Sequence, residues 1–320
     1  MESESGIVVE ISELRIPSTN DKNQLKVKIW QPKQPVKAVF QMIHGMVEHI
    51  DRYGEFAVFM ASNGYLVVGH DHIGHGDSVT DETEYGHFGS NDGHQILVKD
   101  VSNVQRHFSA EYPNVPYFIL GHSMGSLVLR NYLIQYPDVP LAGAIIMGTT
   151  YESRSKMNAA IWVSGLIAKI KGATYPSSLL DTLAFGGFNR SFRPTRTSKD
   201  WLTRDEEMVD LYLADAKTQF IFSAKAYQDL FVLTKNASTP SLLKKINPQL
   251  PLYLISGAQD PVGHFGKNVE RLYEQLKADG KNVTLSLLKN GRHEILNETN
   301  AYEVYRMLLD WTEKRRQDYK

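Results

Sequence analysis

The pentapeptide Gly121-His122-Ser123-Met124-Gly125 constrains this chain more than any other segment. It follows the apolar run Val115-Pro116-Tyr117-Phe118-Ile119-Leu120, which reads as a strand, and precedes Ser126 to Ile134, which reads as a helix. A serine on so sharp a strand-to-helix turn presents its hydroxyl at the edge of a sheet, which is the setting of an activated nucleophile. The turn is tight enough that side chains two positions to either side would collide, and glycine removes them. On composition alone a chain of this length shows the pattern by chance about 0.1 times, so its weight comes from the elements around it. The bland reading is a glycine-rich turn whose serine caps the helix.

Those elements alternate. Residues 7–11, 25–30, 37–43, 65–69, 115–120 and 141–147 read as strands. Leu25 to Trp30 alternates apolar and charged residues, as a half-exposed edge strand does. Asn20 to Asn23 reads as a turn and Tyr53 to Asn63 as a helix. Leu97, Val101, Val104 and Phe108 share one face of another helix. This order predicts a mostly parallel sheet with helices on both faces. The alternation stops near Thr149, and only helical patterns and loops follow until about Asn247. Strand patterns resume at 251–256 and 283–288. Helices follow at Val269, Leu272, Tyr273 and Leu276, and at Val304, Leu308 and Trp311. The expected organisation is a sheet core formed by 1–149 and 247–320, with a helical cap inserted at 150–246.

Composition narrows the function classes. A formal net charge of −1 over 320 residues gives no electrostatic reason to expect nucleic acid. The absence of cysteine rules out disulfides, a thiol nucleophile and thiolate-bound zinc, and fits a reducing compartment. Met1 to Ser5 is acidic and has no apolar core of signal-peptide length. No stretch reaches the 18 or so apolar residues of a membrane span. The expected location is the cytoplasm.

A serine hydroxyl needs a neighbouring base and an acid to orient that base. Sheet sites gather on loops at the C-terminal ends of strands. Asp260 lies in the loop after strand 251–256 and His293 in the loop after strand 283–288, so both follow Ser123 in the expected order. His264 competes as the base and Glu294 as the acid. The main-chain N–H groups of Met124, after the serine, and Met46, in the loop His44 to His49, are the expected oxyanion donors. His70-Asp71-His72-Ile73-Gly74-His75-Gly76-Asp77-Ser78 is similar to the His-x-His-x-Asp-His run of binuclear zinc sites. Gly74 stands where an acid is needed, and a turn is the preferred reading. No metal and no cofactor is expected.

The His44 to His49 loop with Arg52-Tyr53, the His70 to Ser78 run and the Gly121 to Gly125 turn together resemble the monoacylglycerol lipase and lysophospholipase branch of the α/β-hydrolases. Ser256 to Gly263 and Arg292 to Glu298 strengthen the likeness to its bacterial lysophospholipase-like members. The resemblance implies the α/β-hydrolase fold, a Ser123–His293–Asp260 triad, and hydrolysis of single-chain lipid esters by water. The alternatives are a general carboxylesterase or a serine aminopeptidase. The latter needs a cap acid to hold a substrate amine, with Glu152, Asp205, Glu206 and Glu207 as candidates. In the cap, Val163, Leu166, Ile167 and Ile170 share a helical face away from Ser164, Lys169 and Lys171. That face suits either packing on the core or transient contact with a membrane surface.

Overall fold

The computed structural model describes residues 9–89 and 91–319. The expected start of the first strand at Ile7 and Val8, and the acidic Met1 to Ser5, lie outside these residues. Eight strands form one sheet: β1 (Glu10–Pro17), β2 (Gln24–Gln31), β3 (Ala38–Ile43), β4 (Tyr65–His70), β5 (Tyr117–His122), β6 (Gly143–Met147), β7 (Leu252–Gly257) and β8 (Val283–Leu288). Their order is β1-β2-β4-β3-β5-β6-β7-β8. From β4 to β8 every pairing is parallel, and β1–β2 and β2–β4 are antiparallel.

The parallel strands are buried on both faces, which is why they read as nearly unbroken apolar runs. In β5, Tyr117 and Ile119 enter one core while Phe118 and Leu120 enter the other, the period-2 alternation of a strand. Helices α1 (Gly54–Ser62) and α10 (Ala301–Asp318) cover one face. On the other lie α2 (Gly93–Glu111), α3 (Met124–Gln135) and α9 (Lys267–Ala278). The stripe Leu97, Val101, Val104 and Phe108 of α2 is fully buried there.

Strand β2 is not an edge strand, contrary to its pattern. It lies between β1 and β4, and its Lys26 is buried to 3% exposure. The burial is tolerated because Asp51 and Asp77 take the ammonium at 2.9 and 3.2 Å, and a buried charge needs such partners.

Between β6 and β7 lie α4 (Arg154–Lys171), α5 (Ser178–Phe185), α6 (Glu206–Ala214), α7 (Ala224–Ala237) and α8 (Pro240–Leu243). Helix α7 packs on both α4 and α3, joining this segment to the core. The apolar face of α4 is divided, with Val163 and Ile167 packed against the core and Leu166 and Ile170 exposed. Ser164 is buried and closes on Ala160 O at 2.7 Å, whereas Trp162, Leu166 and Ile170 are exposed. Small residues face inward because α7 lies close: a Cβ on Gly165 would fall 2.5 Å from Gln228.

Candidate active site

The C-terminal ends of the parallel strands meet at one edge of the sheet, and the register brings Ile43 opposite Gly121 and His122 opposite Met147. Ser123 bridges β5 and α3 with φ 55° and ψ −122°, a conformation that L-residues rarely adopt. The flanking glycines make that turn feasible. A Cβ on Gly121 would run into the Gly125 carbonyl, and one on Gly125 into the Ile43 and His44 carbonyls. The serine hydroxyl does not cap α3. It points instead to His293 Nε2, at 2.9 Å.

His293 leaves β8 on the loop that precedes α10, and its Nδ1 lies 2.9 Å from Asp260 Oδ2. Asp260 is fully buried, and its other oxygen accepts the Val262 N–H at 2.9 Å. A hydroxyl, an imidazole and a buried carboxylate in one hydrogen-bonded line can move a proton off the hydroxyl. The competitors line the same cavity but stand outside this hydrogen-bonded line. His264 is more than half exposed and faces Glu152 at 3.3 Å. Glu294 takes two hydrogen bonds from Arg52, at 2.6 and 2.7 Å.

Met46 and Met124 line the same cavity as Ser123 and His293. Neither N–H donates to an acceptor among the described residues. The Met46 loop is fixed from three sides. Val47, at φ 54°, donates its N–H to His75 Nε2 at 3.2 Å and accepts from Tyr212 of α6 at 3.0 Å. Glu48 accepts the Gly45 N–H.

The His70 to Ser78 run serves this loop. His44 Nε2 accepts the His72 N–H at 2.9 Å, and the His72 ring returns to the His44 carbonyl at 3.1 Å. Asp71 accepts from Ile50 and Asp77 main-chain N–H groups, both at 2.8 Å. Burial drives His72 down to about 4 and His75 to about 3, so these rings are neutral spacers near pH 7. Among the described residues no group of three or more histidine or carboxylate side chains is placed to hold a metal ion.

The cavity has a volume of about 580 Å³. Its walls are mostly apolar and aromatic, with Leu127, Met157, Val163, Phe185, Leu230 and Phe231 among them. Trp201, from the loop before α6, lies beside His293 with the rings tilted by 39° and their centroids 5.2 Å apart. Its segment is tied to the His293 loop: Glu294 N–H donates to Leu202 O at 2.7 Å, and Arg292 donates to Thr203 O at 3.1 Å. Nothing in the sequence marks Trp201, because the contact arises only when the inserted segment folds back. Glu48 and Arg52, four residues apart, pair at 2.9 Å across the junction of a loop and a short 3-10 turn, where helical spacing gives no signal.

A strand–serine–helix turn on this mostly parallel sheet, with a buried carboxylate after β7 and an imidazole after β8, fits the α/β-hydrolase fold. The family model described as "Serine aminopeptidase, S33" matches residues 34–300, and the chain belongs to that family. It is 27% identical to the monoglyceride lipase of Homo sapiens over 301 residues, covering 92% of this chain and 88% of that protein. It is 25% identical to phospholipase YtpA of Bacillus subtilis over 288 residues, covering 89% and 98%. Among solved structures, a thermostable carboxyl esterase from Bacillus coagulans in complex with glycerol superposes with a TM-score of 0.87. That match has 25% identity and covers 96% of this chain and 99% of the esterase. The resemblance to the monoacylglycerol lipase and lysophospholipase branch thus extends along most of the chain. No helix among the described residues is long and apolar enough to cross a membrane.

Proposed function

We propose that this enzyme cleaves carboxylic esters of single-chain lipids, monoacylglycerols or lysophospholipids, through an acyl-enzyme on Ser123. By class it is a carboxylic-ester hydrolase. The single observation that carries the finer reading is the Ser123–His293–Asp260 hydrogen-bond line opening into an apolar cavity.

In the proposed reaction Ser123 Oγ attacks the ester carbonyl while His293 Nε2 takes its proton. Asp260 holds the Nδ1–H of His293 and stabilises the imidazolium. The Met46 and Met124 N–H groups bind the oxyanion of the tetrahedral intermediate. Collapse breaks the ester C–O bond, and His293 returns the proton to the leaving alcohol. Water then attacks the acyl carbonyl with His293 again as base, and the fatty acid leaves.

Residues 150–246 act in this proposal as a cap over the core of 1–149 and 247–320. Helix α4 supports that role, since Met157, Ala160 and Val163 line the cavity while Trp162, Leu166 and Ile170 are exposed. With exposed Leu179 and Leu183 of α5 nearby in sequence and Lys169 and Lys171 at the end of α4, this surface suits transient contact with a membrane that supplies substrate. The absence of cysteine supports placing the enzyme in a reducing compartment, the cytoplasm.

Of the acids that an aminopeptidase would use to hold an amine, Asp205 caps α6, and Glu206 and Glu207 are exposed. Glu152 lines the cavity but is paired with Lys156 at 2.8 Å. A panel of monoacylglycerols and lysophospholipids of graded chain length, run beside peptide anilides, tests the proposal. Ester turnover is expected; anilide turnover without ester turnover contradicts it.

A further inference from the structure

His122 precedes Ser123 in the chain, yet the reaction above makes no use of its imidazole. The ring is buried, and its centroid lies 4.7 Å from that of His293. His122 Nε2 is 3.1 Å from the main-chain carbonyl oxygen of His293. A carbonyl oxygen only accepts, so Nε2 carries a proton. Nδ1 faces Tyr53 Oη at 3.0 Å and Glu48 Oε1 at 3.4 Å.

The tyrosine decides the state of Nδ1. Tyr53 has one hydroxyl proton and lies 2.8 Å from Glu48 Oε1. Glu48 is a carboxylate, since Arg52 donates to it at 2.9 Å and Gly45 N–H donates as well. Tyr53 O–H therefore donates its hydrogen bond to Glu48, and its oxygen is left to accept from His122. Nδ1 must also carry a proton.

Charge gives the same answer independently. Arg52 binds both Glu48 and Glu294, one guanidinium against two buried carboxylates. An uncompensated buried charge is costly, and a cationic His122 closes the balance. The other groups here leave it open. Tyr212 packs its ring over Arg52 at 4.8 Å. Lys199 lines the same cavity and feels the charge of Glu294, with no ion pair between them among the described residues. Burial alone would lower the proton affinity of His122, but the Glu48 hydrogen bond and charge outweigh it and the net direction is upward.

We infer that His122 is an imidazolium, held by Glu48 and Tyr53, that acts as a positioning residue through His293. It anchors the His293 main chain. Its charge also opposes a second positive charge on the neighbouring ring. Asp260 favours a cation on the His293 ring, His122 opposes it, Ser123 is its hydrogen-bond partner and Trp201 lies beside it. This inference rests on the proposed role of His293 as the base.

Two measurements test it. The first is the pH profile of kcat/KM on a soluble short-chain ester for the native enzyme, His122→Asn and His122→Gln. Removal of the charge is expected to move the acid limb to higher pH by about one unit or more. The second is ¹⁵N NMR of the native protein labelled at histidine. It is expected to show both His122 ring nitrogens protonated near pH 7, and that signature is expected to be lost in Glu48→Gln. An unmoved acid limb in folded His122 variants, or a single protonated nitrogen on His122 at neutral pH, overturns the inference. Full turnover by His293→Ala would instead remove the proposed mechanism, while the His122 spectrum, which needs no turnover, still reads its charge.

Discussion

Ser123 holds a backbone conformation that costs on the order of 1–3 kcal/mol, and the sheet keeps it there. Its N–H donates to Met147 O at 3.0 Å, and its carbonyl accepts from Ser126. The glycines on either side let β3 and α3 close around it. What that strain secures is direction: the hydroxyl aims at His293 rather than back at its own helix. The acid is equally committed, because Asp260 is fully buried and bonded through both carboxylate oxygens. Asp260→Asn retains the shape and removes the charge, so the wrong imidazole tautomer is favoured. On the proposed mechanism kcat is expected to fall by about 10⁴-fold, with thermal unfolding little changed. A loss of only a few-fold, measured on a soluble ester, would transfer the orienting role to another acid.

At the scale of elements, the membrane contact proposed for the outer surface of α4 is separable from the chemistry by mutation. Replacing Trp162, Leu166 and Ile170 with serine removes exposed apolar area and touches no residue that lines the cavity. Turnover of a monoacylglycerol presented in vesicles is expected to fall about tenfold or more, and turnover of a soluble short-chain ester to stay within about twofold. Equal losses on both substrates would assign α4 a structural role alone. This is also where the sequence is least legible. The parallel strands announce themselves because they are buried on both faces, and Ser123, Asp260 and His293 are legible because each sits where one of those strands ends. In α4 the apolar residues encircle the helix, and only the approach of α7 decides which of them turn inward. The pattern of β2 misleads for a related reason: a lysine reads as exposed until Asp51 and Asp77 arrive from distant loops. Trp201 and the His122–Glu48–Arg52–Glu294 cluster are likewise products of tertiary folding, joining residues more than 70 positions apart.

Across the whole molecule, the buried histidines set a pH limit on folding. His44, His70, His72 and His75 are all held below the ordinary histidine value, chiefly by burial. Below about pH 6.5 the unfolded chain takes up protons that these rings refuse, so stability falls as pH falls. His122, raised instead, acts in the opposite sense. Glu48 and Glu294 are held below the usual carboxylate range. Burial alone would raise them, but Arg52 and, for Glu48, His122 outweigh it, so their contribution is lost at still lower pH. Urea midpoints are expected to drop steadily from about pH 7 to 5, and a flat series would contradict this. The central claim is chemical, that a lipid ester acylates Ser123, and rapid-quench mass spectrometry addresses it most directly. When the enzyme is mixed with a monoacylglycerol and quenched in acid, the peptide carrying Ser123 should gain the mass of the fatty acid less water, and Ser123→Ala should gain nothing. Turnover by the native enzyme with no covalent adduct at any quench time, or an adduct on another residue, would contradict the account.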